Sequence, residues 1–527
     1  MKKILQVLAV AALVTGTSFA DDHTNKTFLM PRPQGVNLPM ETTTYEEELI
    51  PRKLDDKFGA TFQLVPFFQQ SNDHDDTAEY FLIHHKDKIT LQTDTVAFAG
   101  GDTSSVTNDI DINYLYHQYN HNHADGYQYG VNVSLDPEQT VYGARMDYYQ
   151  NLGVILKNLY LKIDAPIVHV ENDPELLVDG AFAGANAGVT TAQITDRINH
   201  YLQGTFEKDA EFLLTQGGGN VNQLTNLQTR LTHAKIVKRS AAGVADVDVA
   251  LGYKFINTEK YLLGLAFGVT APAGNKANGE YMFEPIVGNG QHWGIGGDLY
   301  GSIRAWGKIK HNLKFFLRMK YRYLLENSEN RTLGIQGYDW GQYMLLGRAT
   351  PVAGAVSNLV AYRSLVPAAN VTTLRVDVTP GSQFDGILGM TYNNGGFSFD
   401  LGYNLYYREA ESVHRKDHLP ASTYFVAARN LNTALAGDTR AITNSDVDEA
   451  GAAEGAANVW YVDDAHLDLS VAETPSQFTN SIYGGMGYQF RKWEVPMMMG
   501  IGGKYEFASE NSALEQWSIW GKMGVTF

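Results

Sequence analysis

Cysteine is absent from all 527 residues, so no disulfide holds this fold and another source of stability is required. Long hydrophobic runs are missing too. A spanning helix needs about 20 apolar residues, and no stretch beyond the first twenty qualifies, which excludes a helical membrane protein. Basic residues are in deficit, with 41 Lys and Arg against 58 Asp and Glu. That balance argues against general nucleic-acid binding, which needs a positive face. Catalytic signatures are lacking as well. Gly268–Lys276 ends in Gly274-Asn275-Lys276 without phosphate-loop spacing, and there is no G-x-S-x-G elbow or H-E-x-x-H pair. No enzymatic activity and no cofactor are expected, and no solenoid period is present.

What is there begins with a targeting segment. Lys2 and Lys3, the apolar run Ile4–Val14 and Ser18-Phe19-Ala20 read as a signal peptide over residues 1–20. Its removal takes the formal net charge from −17 to −19. Residues 21–58 contain Pro31, Pro33, Pro39 and Pro51, which disfavour regular structure. A periplasmic tail is the preferred reading of this stretch, and a plug entering a lumen is the alternative.

From residue 59 to the end the dominant signal is alternation at period two, the mark of strands with one apolar face. The clearest case is the last, where Trp517, Ile519, Met523, Val525 and Phe527 share a phase. Ser518, Lys522, Gly524 and Thr526 fill the other, with Trp520 as its exception. Similar rows run through Ala60–Gln69, Ile110–Tyr119, Tyr127–Leu135, Val141–Tyr149, Val154–Val168, Val244–Ile256 and Tyr261–Val269. They continue at Trp293–Ile303, Leu313–Tyr323, Phe384–Tyr392, Phe397–Tyr407, Ile482–Phe490 and Met497–Phe507, giving 14 strands with a tolerance of about two. A short hairpin is expected around Tyr80–Leu91, and short helices at Thr191–Thr205 and Asn220–Ala234.

Connection lengths sort by side. The turns near 257–260, 309–312, 393–396 and 491–494 are short, whereas 170–243, 271–291, 326–382 and 409–476 are long. With the signal peptide and the terminal aromatic strand, this pattern resembles the Gram-negative outer-membrane β-barrel proteins, of the porin or transporter type. The resemblance implies a closed antiparallel transmembrane barrel of about 14 strands (12–16), with short periplasmic turns, long external loops and both termini periplasmic. It also implies that Trp517, Ile519, Met523, Val525 and Phe527 are read by the barrel-assembly machinery. Outer-membrane lipid and lipopolysaccharide would surround the barrel, and a homo-oligomer is compatible with the same apolar rows.

Opposite the apolar rows lie the charges. One strand carries Lys314, Arg318, Lys320 and Arg322 in its second phase. On a lipid face each would cost roughly 2–4 kcal/mol near the midplane, so these four must point inward. Arg304, Lys308, Asp246, Asp248, Lys254, Asp298, Asp400, Arg408, Lys504 and Glu506 are placed on the same inner face, as is Asp385. Two explanations compete: opposed charge rows lining an aqueous channel, or rows that pair with one another and with loops to close the lumen. The room inside a barrel of this size favours a porin-like channel for small solutes. A surface adhesin or structural barrel with a closed lumen is the alternative. A transporter of the long-chain fatty-acid type is another, although the inner face is more charged than apolar. Metal binding is not expected: His117, His121 and His123, with His84-His85 upstream, do not share a face, and Asp73, Asp75 and Asp76 lack the EF-hand frame.

Overall fold

The computed structural model describes residues 25–44, 59–72, 74–92, 110–111, 129–183, 190–205, 230–308, 311–348, 365–426, 461–490, 495–508 and 514–527. Twelve strands form its body. They are β1 (Ala60–Ser71), β2 (Glu138–Asn151), β3 (Leu159–Asp173), β4 (Val247–Asn257), β5 (Tyr261–Ala271) and β6 (Gly294–Lys308). The second half supplies β7 (His311–Leu324), β8 (Gly381–Asn394), β9 (Phe397–Arg408), β10 (Gln477–Phe490), β11 (Met497–Ala508) and β12 (Gln516–Thr526). Each pairs antiparallel with the next in sequence, and β12 returns to pair with β1 through registers such as Phe62↔Val525 and Phe68↔Ile519. The ring is therefore a closed up-and-down barrel without a free edge, the arrangement that satisfies every ladder hydrogen bond. Arg239–Val244 adds a thirteenth strand outside the ring, on the far half of β3.

The barrel has 12 strands, not 14, and two segments account for the difference. Tyr129–Ser134 is a strand, but it belongs to a small sheet with Lys88–Gln92, Ile110–Asp111 and Leu177–Ala183. Its Val131 and Val133 are buried in a second core with Ile89, Leu91, Phe81, Ile198 and Trp340. Alternation only reports that one face is apolar. It does not say whether that face meets lipid or another layer of protein. Ile110–Asp111 is the described part of the other segment. Likewise, Tyr80–Leu91 is not a hairpin: His74–Phe81 is a helix, followed by a turn and the strand Lys88–Gln92. Thr191–Gln203 is the expected helix, with a capping box at Thr190 and Gln193 and a left-handed Gly204 after it. Most of Asn220–Ala234, and the signal peptide, lie outside the described residues.

The alternation decides which way each wall residue faces. On β5, Tyr261, Leu263, Leu265, Phe267 and Val269 are exposed on the outside, while Ala266 between them is buried. The outer row of β9, Phe397, Phe399, Leu401 and Tyr403, is exposed in the same way. Trp520 turns inward and packs where Gly502 leaves room, since a β-carbon there would stand 2.5 Å from its ring. Among the described residues no helix is long and apolar enough to cross a membrane.

The connections at one end, such as 258–260 and 395–396, are short; at the other end, long segments build a cap over the mouth. That cap has its own apolar core, including Tyr80, Phe81, Tyr201, Leu202, Phe283, Trp340 and Tyr343.

Candidate functional site in the lumen

Residues 25–44 do not hang free below the barrel as a tail. They begin in the cap, where Lys26 N–H donates to the carbonyl of Tyr80 at 3.2 Å and Thr27 N–H to that of Val471 at 2.8 Å. From there they run down the inside of the ring. Along this path they meet buried charged wall residues at successive levels. At the upper level the carbonyl of Met30 accepts from Arg408 Nη1 at 2.9 Å and from Gln477 Nε2 at 2.8 Å. Next, the Arg32 guanidinium pairs with Asp385 at 2.8 Å and Glu506 at 3.2 Å, lies 4.6 Å over the ring of Tyr406, and donates to the side chain of Asn404 at 3.0 Å.

Below this, a single short helix, α1 (Leu38–Thr42), crosses the lumen. Asn37 caps it by accepting from Met40 N–H, and Pro39 suits its first turn. The helix presents Glu41, 1% exposed, to three cations at once. Arg318 Nη2 lies 2.6 Å and Arg145 Nη2 3.1 Å from its carboxylate, and Lys162 pairs with it directly. Lys522 on β12 donates to the carbonyls of Glu41 at 2.6 Å and Thr43 at 2.7 Å. Finally, Thr44 N–H donates to Asp400 at 2.9 Å. Thr43 and Thr44 rest on bare wall: β-carbons added at Gly485 and Gly500 would stand 2.2 Å and 2.5 Å from their side-chain atoms.

The inner faces anticipated from sequence are therefore inside the ring, but ion-paired. Arg318 meets Asp298 at 3.2 Å, Lys320 meets Asp248 at 2.7 Å, and Arg322 and Lys504 pair with Asp248 and Glu506. Asp246 accepts from Asn289, Lys314 is buried, and Arg408 pairs with Glu411 at the cap end. Three of the anticipated residues stand apart. Arg304 reaches the turn residue Glu259 at 3.6 Å, and Lys254 lies 5.5 Å over the ring of Tyr160. Lys308 is exposed on the outer side, because the register shifts between Arg304 and Trp306 and a bulge reverses the facing. Of the terminal row, Ile519, Met523 and Phe527 are exposed outward, and the backbone of Phe527 pairs with Ala60.

Sequence reasoning missed the partners. Arg32 and Glu41 sit in a proline-bearing stretch with no periodicity. Arg145, Asp147, Lys162 and Asp164 lie on β2 and β3, where their i, i+2 spacing was the available signal. His84 and His85 fall in an exposed turn, and among the described residues no three metal-ligating side chains cluster.

No family model matches the chain, and no curated protein matches it. Solved structures overlap it loosely. An outer membrane channel from Pseudomonas putida F1 has a TM-score of 0.36 at 10% identity, covering 89% of this chain and 96% of that one. A FadL homologue from Pseudomonas aeruginosa gives 0.27 at 8%, covering 95% and 99%. The beta domain of the Bordetella autotransporter BrkA gives 0.29 at 7%, covering 90% and 100%. Overlaps this loose carry no functional weight.

Proposed function

We propose that this chain is an outer-membrane channel for small solutes, held shut in the described state by its own residues 25–44. The observation that carries the reading is the contrast between the two faces of one wall. Outside, rows of Leu, Ile, Phe and Tyr are exposed; inside, Arg, Lys, Asp and Glu are buried on successive strands. A wall of that kind belongs between lipid and water. Aromatic pairs such as Phe397–Tyr488 at 4.8 Å near the short turns and Phe68–Trp517 at 5.5 Å near the cap fit the two interfacial girdles of such a barrel. Bilayer lipid and lipopolysaccharide are then its surroundings, and passage is passive and non-catalytic.

A barrel meant only as a surface coat could fill its lumen with wall side chains. Here the filler is a separate segment outside the ladder, held by side-chain contacts and a glycine seat. A hydrophobic solute of the fatty-acid kind would meet charge at every level of the lumen once that segment moved. Small polar solutes fit better. The test is single-channel recording in planar bilayers on the full chain and on a variant lacking residues 25–44. Rare steps from the full chain and frequent ones from the variant are expected. Silence from both over repeated insertions would favour the coat.

A further inference from the structure

We infer that the three cations closing on Glu41 form a carboxylate-binding site of the lumen, which Glu41 fills in place of a solute; this rests on the channel reading above. The seat is built by the wall, independently of its occupant. Arg145 is fixed by Asp147 at 2.7 Å and Asp164 at 2.9 Å, Lys162 reaches Asp164 at 3.6 Å, and Arg318 is braced by Asp298 at 3.2 Å. Arg145 and Lys162 share the β2–β3 hairpin, but Arg318 comes from β7, so no single hairpin explains why the three converge. They converge on one anion.

The charge count agrees. Ion pairs join or adjoin five cations in this patch: Arg145, Lys162, Arg318, Lys320 and Arg322. Among the described residues, four wall carboxylates stand within ion-pair distance of them, Asp147, Asp164, Asp248 and Asp298, while Asp246, also close to Arg322, accepts from Asn289 instead. The fifth is Glu41, on the removable segment. Withdrawing α1 thus leaves a buried cationic excess, and an uncompensated buried charge is costly. An anion from solution has to take the vacated place. Two guanidinium groups and an ammonium favour a planar oxyanion over a halide, and a small monocarboxylate most directly reproduces what Glu41 offers. Because segment and solute compete for one seat, binding of the solute and release of the segment are linked.

Propionate, the end of a glutamate side chain, is the probe, with propionamide as its neutral isostere. The chain has no cysteine, so V36C, at a position 3% exposed beside Arg32, reports release of the segment by maleimide labelling of the full-length protein in vesicles. Propionate should speed labelling several-fold and propionamide should not. In E41Q, labelling should be fast without propionate, and propionate should reduce the chloride current at about tenfold lower concentration than in the wild type. R318Q and K162Q should each abolish the propionate response. Conducting E41Q channels that treat propionate and propionamide alike would overturn the site and leave the channel reading standing. Propionate-dependent labelling in a protein that never conducts would support the site and sink the channel reading.

Discussion

The glycine seat under Thr44 offers a way to open the barrel without touching a charge. Gly500 faces inward on β11, and a methyl group built there would lie 2.5 Å from Thr44 Oγ1 and 3.1 Å from its Cβ, against 3.1 Å to the carbonyl of Met486 in the wall. The wall can yield by tenths of an ångström; the threonine has to move. Thr44 is already strained, a β-branched residue at φ 53°. Overpacking of this kind costs typically 1–3 kcal/mol, and the whole of it falls on the docked segment. G500A should therefore raise the open-to-closed ratio by about 5- to 150-fold, read as open probability in planar bilayers. Two companions make the test specific. G503A, on the same strand but facing out, meets only Ser518 O at 3.2 Å and Ile519 Cγ2 at 3.7 Å and should gate like the wild type. T44G in the G500A background removes both the clash and the strain and should restore closure. If G500A gates like G503A, or T44G fails to restore it, the seat does not hold the segment.

R32Q should free the segment as well. It leaves Asp385 and Glu506 buried without their guanidinium partner, a loss of about 3–5 kcal/mol of docking that labelling at V36C would register. On the outer face, L265R should cost roughly 2–4 kcal/mol in phospholipid vesicles, read from guanidinium unfolding; no loss there would contradict a lipid-facing wall. In the loop between β5 and β6, burial pushes the Glu284 carboxyl up to about 7 while its oxygens accept from Asn278 and Gly279 N–H at 3.1 Å. A raised acid favours the folded state fully below its unfolded value near 4.5 and loses that contribution as pH climbs through 7. E284Q should accordingly remove up to about 3 kcal/mol of destabilisation that the wild type acquires between pH 5 and 8, seen as a flatter pH profile of unfolding. Burial holds His292 down at about 4, with its ring nitrogen bonded to the carbonyl of Leu325, so its contribution runs the other way. It is present above about 6.5 and lost as pH falls toward 4. H292Q should flatten the acid limb alone.

The ring was legible because its physics is local. Each of the twelve barrel strands has an apolar phase that a short window of sequence exposes, and the sorting of short turns from long connections gave direction to the whole. The overcount arose where the same local rule serves a different purpose. Val131 and Val133 alternate as lipid-facing residues do, yet they lie against Ile89 and Leu91 in the cap. Lys308 was misplaced by a bulge, which one strand read alone does not reveal.

The lumen was half legible, and the missing half explains the rest. That Lys314, Arg318, Lys320 and Arg322 point inward follows from the cost of charge in lipid. What they meet on the segment does not, because those partners are remote: Arg318 finds Glu41 across 277 residues of chain, and on another strand Arg408 finds Met30 across 378. The inner faces nonetheless carried a usable constraint. Buried cations need matching acids, and once β2, β3, β4, β6 and β7 are set side by side, the five cations of the Glu41 patch share four wall carboxylates within ion-pair distance. The deficit has to be met from outside the ladder. In residues 25–44 Glu41 is the single acid, and a capped helical turn delivers it to the right depth. A proline-rich stretch ahead of a barrel should therefore be read against the charge balance of the inner faces before it is set aside as a tail.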